Sequence, residues 1–358
     1  MCEKLNYNIF TVEHENSSII YGIDRNSYII SNPNTRQLLC NPEIVGYDIC
    51  QKLLVPIKDM LRFFQRRQLL NNINVVNILR GGLNFPVESA CFNEGLSIDE
   101  VSFLSSERIF LDDRVSRIES KYRKIANVPD ATIILGDIIA SGETLYNTIK
   151  YIIEEYIYHK NQINKIIIFT IGTNNAITYI HKLEKELKER WKGFEGIYTV
   201  FFEAVFTTYS SSGITGLNLS HVDFIFKDGL LAPEYRKMLT EKPHTLFEKC
   251  AIYDGGARRF EKKMHINTII KYWSDLCLIA DKISIREFYN EKMGYSLFDI
   301  FPNLGDWIKL NRYENLDKKE ISNLYFCEKD NFDMLQKLSF MSISENRYKQ
   351  LVSYYHIC

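Results

Sequence analysis

Apolar runs alternate with helical segments through the middle of the chain, between residues 75 and 206. Short runs rich in Ile, Val and Phe occur at 75–79, 101–104, 131–135, 165–171 and 197–206. Between them, segments that suit helices occur at 86–94, 144–158 and 176–191. Strands separated by helices are typical of βαβ units. We therefore predict an α/β fold for this region, with a mainly parallel sheet flanked by helices.

The regions on either side of this alternation have a different character. Short β-like pieces and Asn-rich turns fill residues 1–50, and apolar positions recur every three to four residues over 44–68, which predicts an amphipathic helix. Further helices are predicted at 264–280, 282–293 and 331–354. We predict an N-terminal extension or hood at 1–70, an α/β domain at 71–240 and a mainly helical C-terminal region at 241–358.

Charge and composition exclude several classes of protein. Lys plus Arg is 44 and Asp plus Glu is 45, so no extended nucleic-acid-binding surface is indicated. The 8 cysteines are dispersed without metal-finger spacing, which favours free thiols in a reducing compartment. The first ten residues do not resemble a signal peptide, and no stretch approaches the roughly 18 apolar residues of a membrane helix. We expect a cytoplasmic protein.

The segment 133–145 joins a predicted strand to a predicted helix through small and polar residues. Asp137 follows the strand, and Ser141, Gly142 and Thr144 lie where the helix begins. Backbone N–H groups at a helix start lack partners within the helix, and the helix dipole favours negative charge there. We expect a phosphate at this position, with Gly142 allowing close approach, and ribose hydroxyls at Asp137. The alternative is the same strand, turn and helix without a ligand.

A shorter segment, 77–83, ends another predicted strand with Arg80, Gly81 and Gly82. Consecutive N–H groups of flexible glycines beside a guanidinium form a concave anion site that suits a pyrophosphate. The alternative is a glycine turn with a surface arginine.

Together, in this order, the two segments resemble the type I phosphoribosyltransferase family over roughly residues 70–235. In that family a strand followed by Leu-Arg/Lys-Gly-Gly holds pyrophosphate. A longer acidic strand–loop–helix holds the 5-phosphate and ribose of phosphoribosyl pyrophosphate (PRPP). The resemblance makes 71–240 a phosphoribosyltransferase-like domain. It implies a pyrophosphate loop at Arg80, Gly81 and Gly82, and a 5-phosphate loop at Ala140, Ser141, Gly142, Glu143 and Thr144.

The resemblance also implies the chemistry of the site. Asp137 corresponds to one of two acids that contact the ribose, and it meets Mg²⁺ indirectly, through PRPP. Asp137 and Arg80 are therefore the predicted catalytic residues. The polar stretch 111–129 falls where the family has a mobile lid, and the implied lid residues are Arg108, Arg114, Arg117, Lys121 and Arg123. A solvated loop has the same composition.

Two positions depart from the family pattern. The family usually has adjacent acids before the phosphate loop, and the first of them is replaced here by Gly136. Purine-specific members commonly have a further acid where this chain has Ala140, whereas uracil-type members have Ala there. Loss of the first acid should weaken the orientation of magnesium PRPP, and loss of the second should remove general-base help to the base.

A further segment, 221–229, is similar in position to the base-recognition strand of hypoxanthine-guanine-type members. There an aromatic ring stacks on the base and a lysine contacts an exocyclic oxygen, which implies base contacts for Phe224, Phe226 and Lys227. An ordinary edge strand is the alternative.

Three functions remain. The leading one is a magnesium-dependent enzyme that transfers the phosphoribosyl group of PRPP to a nucleobase, or cleaves it from one. The rival is a sensor or effector of PRPP or a nucleotide with degenerate catalysis, signalling through the C-terminal region. A third possibility is nucleotide cleavage by a toxin-like effector of an antiviral defence system. The expected partners are PRPP or a nucleoside monophosphate, a nucleobase, and a second copy or another protein at the C-terminal region.

Overall fold

The computed structural model describes residues 8–111, 114–208, 213–217, 224–242, 244–248, 255–295 and 300–355, without the side chains of 106–120 and 255. The chain divides into two compact units. The described part of the first comprises 11–35 and 47–205. That of the second comprises 8–10, 36–46 and the described residues from 206 onward. Division into an extension, a central domain and a C-terminal region stays a prediction.

The first unit is built around a sheet. In chain order its strands are β1 (Phe10–His14), β2 (Ser17–Tyr21), β3 (Ser27–Ser31), β4 (Ile73–Leu79), β5 (Glu100–Leu111), β6 (Arg114–Lys124), β7 (Ala131–Ile139), β8 (Ile163–Thr173) and β9 (Gly196–Thr208). The helices are α1 (Pro33–Cys40), α2 (Asp48–Gln65), α3 (Val87–Asn93), α4 (Glu143–Tyr158) and α5 (Asn174–Arg190). The end of β9 and most of α1 belong to the second unit.

The strand order is β1-β2-β3-β9-β8-β7-β4-β5-β6. The pairs β3–β9, β4–β5, β4–β7 and β7–β8 are parallel, and β2–β3 and β5–β6 are antiparallel. The prediction of a mainly parallel sheet flanked by helices is confirmed.

Burial explains why the central strands are so apolar. Nearly all of β8 and the first six residues of β7 are buried, because helices cover the faces of this part of the sheet. Ile166 and Ile168 of β8 belong to one core with Ile152 of α4 and Leu183 of α5. The polar stretch after 109, in contrast, forms much of the β5–β6 hairpin, whose residues 121–124 are exposed. An outer hairpin tolerates this composition because part of its surface faces water.

The second unit contains strand β10 (Phe224–Leu231), which pairs with β9, and a series of helices. They are α6 (Pro233–Glu241), α7 (Gly255–Phe260), α8 (Lys262–Ile279), α9 (Ile285–Met293), α10 (Leu304–Asn311), α11 (Lys318–Leu335) and α12 (Phe340–Tyr355). The predicted helical character is confirmed. The single helix predicted at 331–354 is wrong: it spans the end of α11 and most of α12, with a turn between them. No helix in the described ranges is long and apolar enough to cross a bilayer.

Charged side chains lie inside this second unit. The Arg236 Nε donates to Glu328 Oε2 at 2.7 Å, and the hydroxyls of Tyr289 and Tyr295 donate to Glu328 Oε1 at 2.9 and 2.6 Å. Burial opposes the charge of Arg236, but Glu328 holds its pKa well above the usual value. These groups satisfy one another within the core, which is the condition for burying a charge.

A second buried cation organises the loop after α1. Arg258 is 1% exposed and donates to the carbonyl oxygens of Leu38, Asn41 and Ile44 at 3.0, 2.7 and 2.6 Å. Because carbonyls at a helix end lack partners within the helix, Arg258 is a structural residue.

Candidate functional site

Two loops leave the same edge of the first unit's sheet. Neighbouring strands β4 and β7 are parallel, with Asn77 opposite Gly136. Arg80 directly follows β4, and Ala140 directly follows β7. Parallel strands bring their carboxyl ends to one edge, which is where α/β sheets usually bind ligands. The structure therefore brings together the two segments that the sequence singled out.

The first loop packs against Asp137. A Cβ atom on Gly81 would lie 2.7 Å from Asp137 Oδ1, and one on Gly82 would lie 3.0 Å from the carbonyl oxygen of Gly136. Asp137 is half-buried, and its Oδ1 also accepts a hydrogen bond from the Ile138 amide at 2.8 Å. A side chain at position 82 would press on the backbone of β7, whereas the Asp137 carboxylate could move away from one at position 81. Arg80 is exposed at the same edge.

The second loop ends at the amino terminus of α4. The N-cap residue is Gly142, with φ of +84°, and it has no side chain to accept hydrogen bonds from the amides of the first turn. Ser141 and Glu143 are exposed, and Thr144 is half-buried. The amides and dipole of this helix start would suit an anion, and a phosphate at this position stays a prediction.

Packing gives a further reason for glycine at 142, and the close approach of a ligand there stays a prediction. A Cβ atom there would lie 3.0 Å from Tyr179 Cδ2 and 3.2 Å from Ala176 Cα, both on α5. Its positive φ also favours glycine. Gly142 therefore serves the packing of the loop against α5.

The absence of a first acid has a packing explanation. A Cβ atom on Gly136 would lie 2.3 Å from Phe85 Cβ and 2.4 Å from Phe85 Cγ. The Phe85 ring is buried and stacks on Phe202, with centroids 6.0 Å apart. An aspartate at 136 would have to displace Phe85, so the single-acid arrangement is part of the core packing.

The predicted lid residues lie on the β5–β6 hairpin. The side chains of Arg108, Arg114 and Arg117 fall outside the described part of the structure. Those of Lys121 and Arg123 are described, and Arg123 reaches α4: its Nη1 is 3.7 Å from Glu154 Oε2, and its Cζ is 5.0 Å from the Tyr151 ring centroid. A lid function stays a prediction.

The predicted base-contact residues lie on β10, in the second unit. Phe224 stacks on Phe206 with centroids 5.5 Å apart, and Phe226 packs against Tyr235 at 6.2 Å. Both phenylalanines are 6% exposed, whereas Lys227 is half-buried. Base contact stays a prediction, and stacking on these rings would require them to leave their present partners.

Sequence reasoning missed residues that hold the loop between β7 and α4 in place. Thr173, at the end of β8, donates a hydrogen bond from its hydroxyl to the Ala140 carbonyl. Tyr179 covers Gly142, and Phe85 covers Gly136. The position of Thr173 at the carboxyl end of a predicted strand was the one available signal, because the other two contacts depend on how distant elements pack.

No family model and no curated protein matches this chain. Solved structures do. Adenine phosphoribosyl transferase from Trypanosoma brucei, in complex with AMP, pyrophosphate and ribose-5-phosphate, has 9% identity and a TM-score of 0.35, covering 52% of this chain and 87% of that one. The AQ2163 protein from Aquifex aeolicus has 17% identity and a TM-score of 0.32, and the match covers 49% of this chain and 86% of that one. A Staphylococcus aureus hypoxanthine phosphoribosyltransferase has 12% identity and a TM-score of 0.28, and the match covers 44% of this chain and 76% of that one.

Two of these three structures are named as phosphoribosyltransferases. The TM-scores of all three are below 0.5.

Proposed function

We propose that this protein is a phosphoribosyltransferase-type enzyme, which binds magnesium PRPP and transfers its phosphoribosyl group to a nucleobase or cleaves it from one. One observation carries the proposal. The Arg80–Gly82 loop packs on Asp137 at the sheet edge where the loop to α4 also begins. A guanidinium, a carboxylate and a helix start therefore share one edge.

Each part of PRPP has a counterpart among these groups. Pyrophosphate lies on the amides of Gly81 and Gly82 and on Arg80, whose planar guanidinium suits paired phosphate oxygens. The 5-phosphate lies at the start of α4, on the amides and hydroxyls of Ser141 and Thr144. The Asp137 carboxylate, between the two loops, accepts hydrogen bonds from the ribose hydroxyls.

The reaction then needs positioning and charge stabilisation. The bond from the ribose C1 to pyrophosphate breaks, positive charge develops on the sugar, and a base nitrogen or water forms the new bond. Arg80 offsets the charge that develops on the departing pyrophosphate, and the fixed loops hold the reacting atoms in place. No covalent nucleophile on the protein is required.

Magnesium enters this scheme with the substrate. Within the described ranges, no cluster of three or more His, Cys, Asp or Glu residues could hold a metal ion. Mg²⁺ keeps several waters and binds readily to substrate phosphates, so PRPP oxygens would hold the ion, and Asp137 would contact it only indirectly, through the ribose. The ion would add positive charge beside the leaving pyrophosphate.

A sensor or effector is the second candidate, and the packing of Gly136 favours it. Phe85 occupies the space that an acid at position 136 would need, so the ribose contact that this acid would make is missing. In this version the same loops bind PRPP or a nucleotide, turnover is negligible, and the second unit transmits the bound state to a partner or a second copy. In a third version, the same loops bind a nucleotide, and water accepts its phosphoribosyl group as the base leaves. The protein would then be a nucleotide-cleaving effector of antiviral defence.

Pyrophosphate release from PRPP separates these candidates. It would be measured with magnesium and hypoxanthine, guanine, adenine, uracil, orotate or no base, beside calorimetry of PRPP binding. Turnover with one base supports the transferase. Pyrophosphate release without a base indicates that water accepts the phosphoribosyl group of PRPP, whereas release of free base from a nucleoside monophosphate would support the hydrolytic effector. Tight PRPP binding without either reaction supports the sensor.

The phosphate loop has its own test. Ser141→Ala/Thr144→Val removes two hydroxyls and should weaken PRPP binding by about 30-fold, if each hydrogen bond contributes about 1 kcal/mol. Ser353→Ala, an exposed serine on α12, is the control and should bind as wild type does. Equal PRPP affinity in the double variant and the control would refute the assigned loop.

A further inference from the structure

The first unit has a cleft of about 300 Å³ that does not involve either of these loops. It lies between the turn joining β2 to β3 and the end of α2. Its lining includes Tyr21, Asp24, Arg25, Tyr28, Phe63 and Arg67. The volume is at the lower end of the range for small-molecule sites.

The cleft lies at the amino-terminal edge of the sheet. Ser27 begins β3 and is paired with Thr199, near the start of β9. The amide of Glu195, just before β9, donates to the Asn164 carbonyl near the start of β8 at 2.7 Å, so these strands also begin together. Ile163, which starts β8, is paired with the first residue of β7.

The Arg80 and Ser141 loops, in contrast, follow the carboxyl ends of β4 and β7. Strands of seven to nine residues separate the two edges by roughly 20 to 30 Å at about 3.3 Å per residue. A ligand in the cleft therefore cannot touch the candidate PRPP site.

Two exposed guanidiniums flank the cleft without a carboxylate partner. In the part of the chain that the structure describes, neither Arg25 nor Arg67 forms an ion pair. Arg67 Nη1 donates to the Phe63 carbonyl at 3.3 Å, and its Cζ is 3.5 Å from the Phe63 ring centroid. Stacking on an aromatic ring holds the guanidinium in place while leaving most of its N–H donors available.

The carboxylate in the cleft is already satisfied. Asp24 Oδ1 accepts from the amides of Asn26 and Ser27 at 2.8 and 2.6 Å. Its Oδ2 accepts from the Ser27 hydroxyl at 2.7 Å and lies 3.0 Å from His181 Nε2. Asp24 therefore stabilises the turn, and the two arginines give the cleft its net positive character.

Aromatic side chains form the rest of the wall. The Tyr28 ring packs edge-on against Phe63, with centroids 5.7 Å apart, and Tyr21 is 40% exposed. The Tyr28 hydroxyl has no hydrogen-bond partner among the described residues. The wall thus offers aromatic surface and a polar group for a planar ring, beside two groups that bind phosphate.

We propose that this cleft is a second ligand site, which binds a nucleoside monophosphate with its phosphate on Arg25 and Arg67 and its base against the tyrosines. The phosphate supplies the negative partner for the two guanidiniums, and the base packs against the aromatic wall. This site is independent of turnover at the opposite edge, so it exists whether the protein is a transferase or a sensor.

The experiment is calorimetric titration of AMP into four proteins: wild type, Arg25→Gln/Arg67→Gln, Arg66→Gln and the loop variant Ser141→Ala/Thr144→Val. Arg66 is the matched control because it adjoins Arg67 but pairs with Glu15 at 2.8 Å. We expect the double arginine variant to lose at least tenfold in affinity at one site. Arg66→Gln and the loop variant should keep that site, with thermal melting confirming that all four are folded.

Inorganic phosphate and adenosine, titrated separately, should each bind this site at least tenfold more weakly than AMP. AMP binding that is lost in the loop variant and unchanged in Arg25→Gln/Arg67→Gln would overturn the cleft proposal and leave the proposed function intact. If AMP binding is lost in Arg25→Gln/Arg67→Gln and unchanged in the loop variant, the cleft proposal is supported. The assignment of the loop between β7 and α4 as a phosphate site then loses support. Inorganic phosphate binding as tightly as AMP would overturn the nucleotide assignment.

Discussion

Charged side chains at one edge of the first unit's sheet and those in the interior of the second unit have opposite roles. In the first unit, Arg80 and Glu143 stand exposed on loops at strand and helix ends. In the second, Arg236 and Glu328 are 2% and 0% exposed and are bonded to each other and to tyrosine hydroxyls. Exposed charge at the edge of a sheet is available to a ligand, whereas buried charge is committed to the fold.

This difference gives a practical rule for mutagenesis. Changes at the sheet edges of the first unit should alter binding and leave stability nearly unchanged. Changes among the buried charges of the second unit should alter stability first. The four predictions below test that separation, beginning with the largest effect.

Arg236→Met should destabilise the second unit by about 3–5 kcal/mol, because it leaves the Glu328 carboxylate buried without its cation. Urea denaturation followed by tryptophan fluorescence would measure this, since Trp273 and Trp307 lie in this unit. Lys271→Met breaks an exposed pair with Asp275 and should cost less than about 1 kcal/mol. Equal losses in the two variants would refute the structural role of the buried pair.

Asp137→Asn should lower pyrophosphate release from PRPP by about 100-fold, since an amide is uncharged and offers the ribose hydroxyls fewer acceptors. Its urea midpoint should stay close to that of the wild type. Asp99→Asn is the control, because Asp99 is exposed just before β5, at the opposite edge. If Asp137→Asn loses much stability but keeps its specific activity, Asp137 has a structural role and not a catalytic one.

The stability of the second unit should fall as the pH drops from about 6.5 to about 4. Burial, aided by Arg347 and Lys242, lowers the pKa of His244 to about 4, so the unfolded chain takes up the proton first. After allowance for its partial exposure, the loss should be about 1–2 kcal/mol. Glu248 contributes in the opposite direction, because burial raises its pKa.

Comparison with His244→Asn isolates the histidine contribution. Unfolding free energies at pH 7 and pH 5 should differ less in this variant than in wild type. An identical pH dependence in the two proteins would show that His244 is not the titrating group.

Glu143→Gln should tighten PRPP binding by about two- to fivefold. The carboxylate lies in the first turn of α4, where it competes with a phosphate for the same helix dipole, a contribution of about 0.3–1 kcal/mol. Glu155→Gln, further along α4, should leave the affinity unchanged. Weaker binding in Glu143→Gln would mean that this carboxylate assists the ligand, for example through magnesium.

The sequence predicted the elements of the central region well because their signals are local. Continuous apolar runs marked β4, β7, β8 and β9, and Pro86 marked the start of α3 within a residue. The break between α11 and α12 was missed, since 336–339 contains no Gly or Pro to mark a turn. The arginines of 108–123 gave no sign of strand structure, because an outer hairpin can be polar.

In the candidate site, too, some features follow from local sequence and others from tertiary packing. The chain by itself determined that Arg80 to Gly82 ends one strand and that Asp137 and Gly142 lie between another strand and a helix. Only the tertiary structure decided why those glycines are there. Gly81 faces Asp137, Gly136 faces Phe85 and Gly142 faces Tyr179, residues that lie 37 to 56 positions apart in the sequence. Local patterns fix which backbone shapes a segment favours, whereas close packing between distant segments is set by how the sheet and its helices assemble.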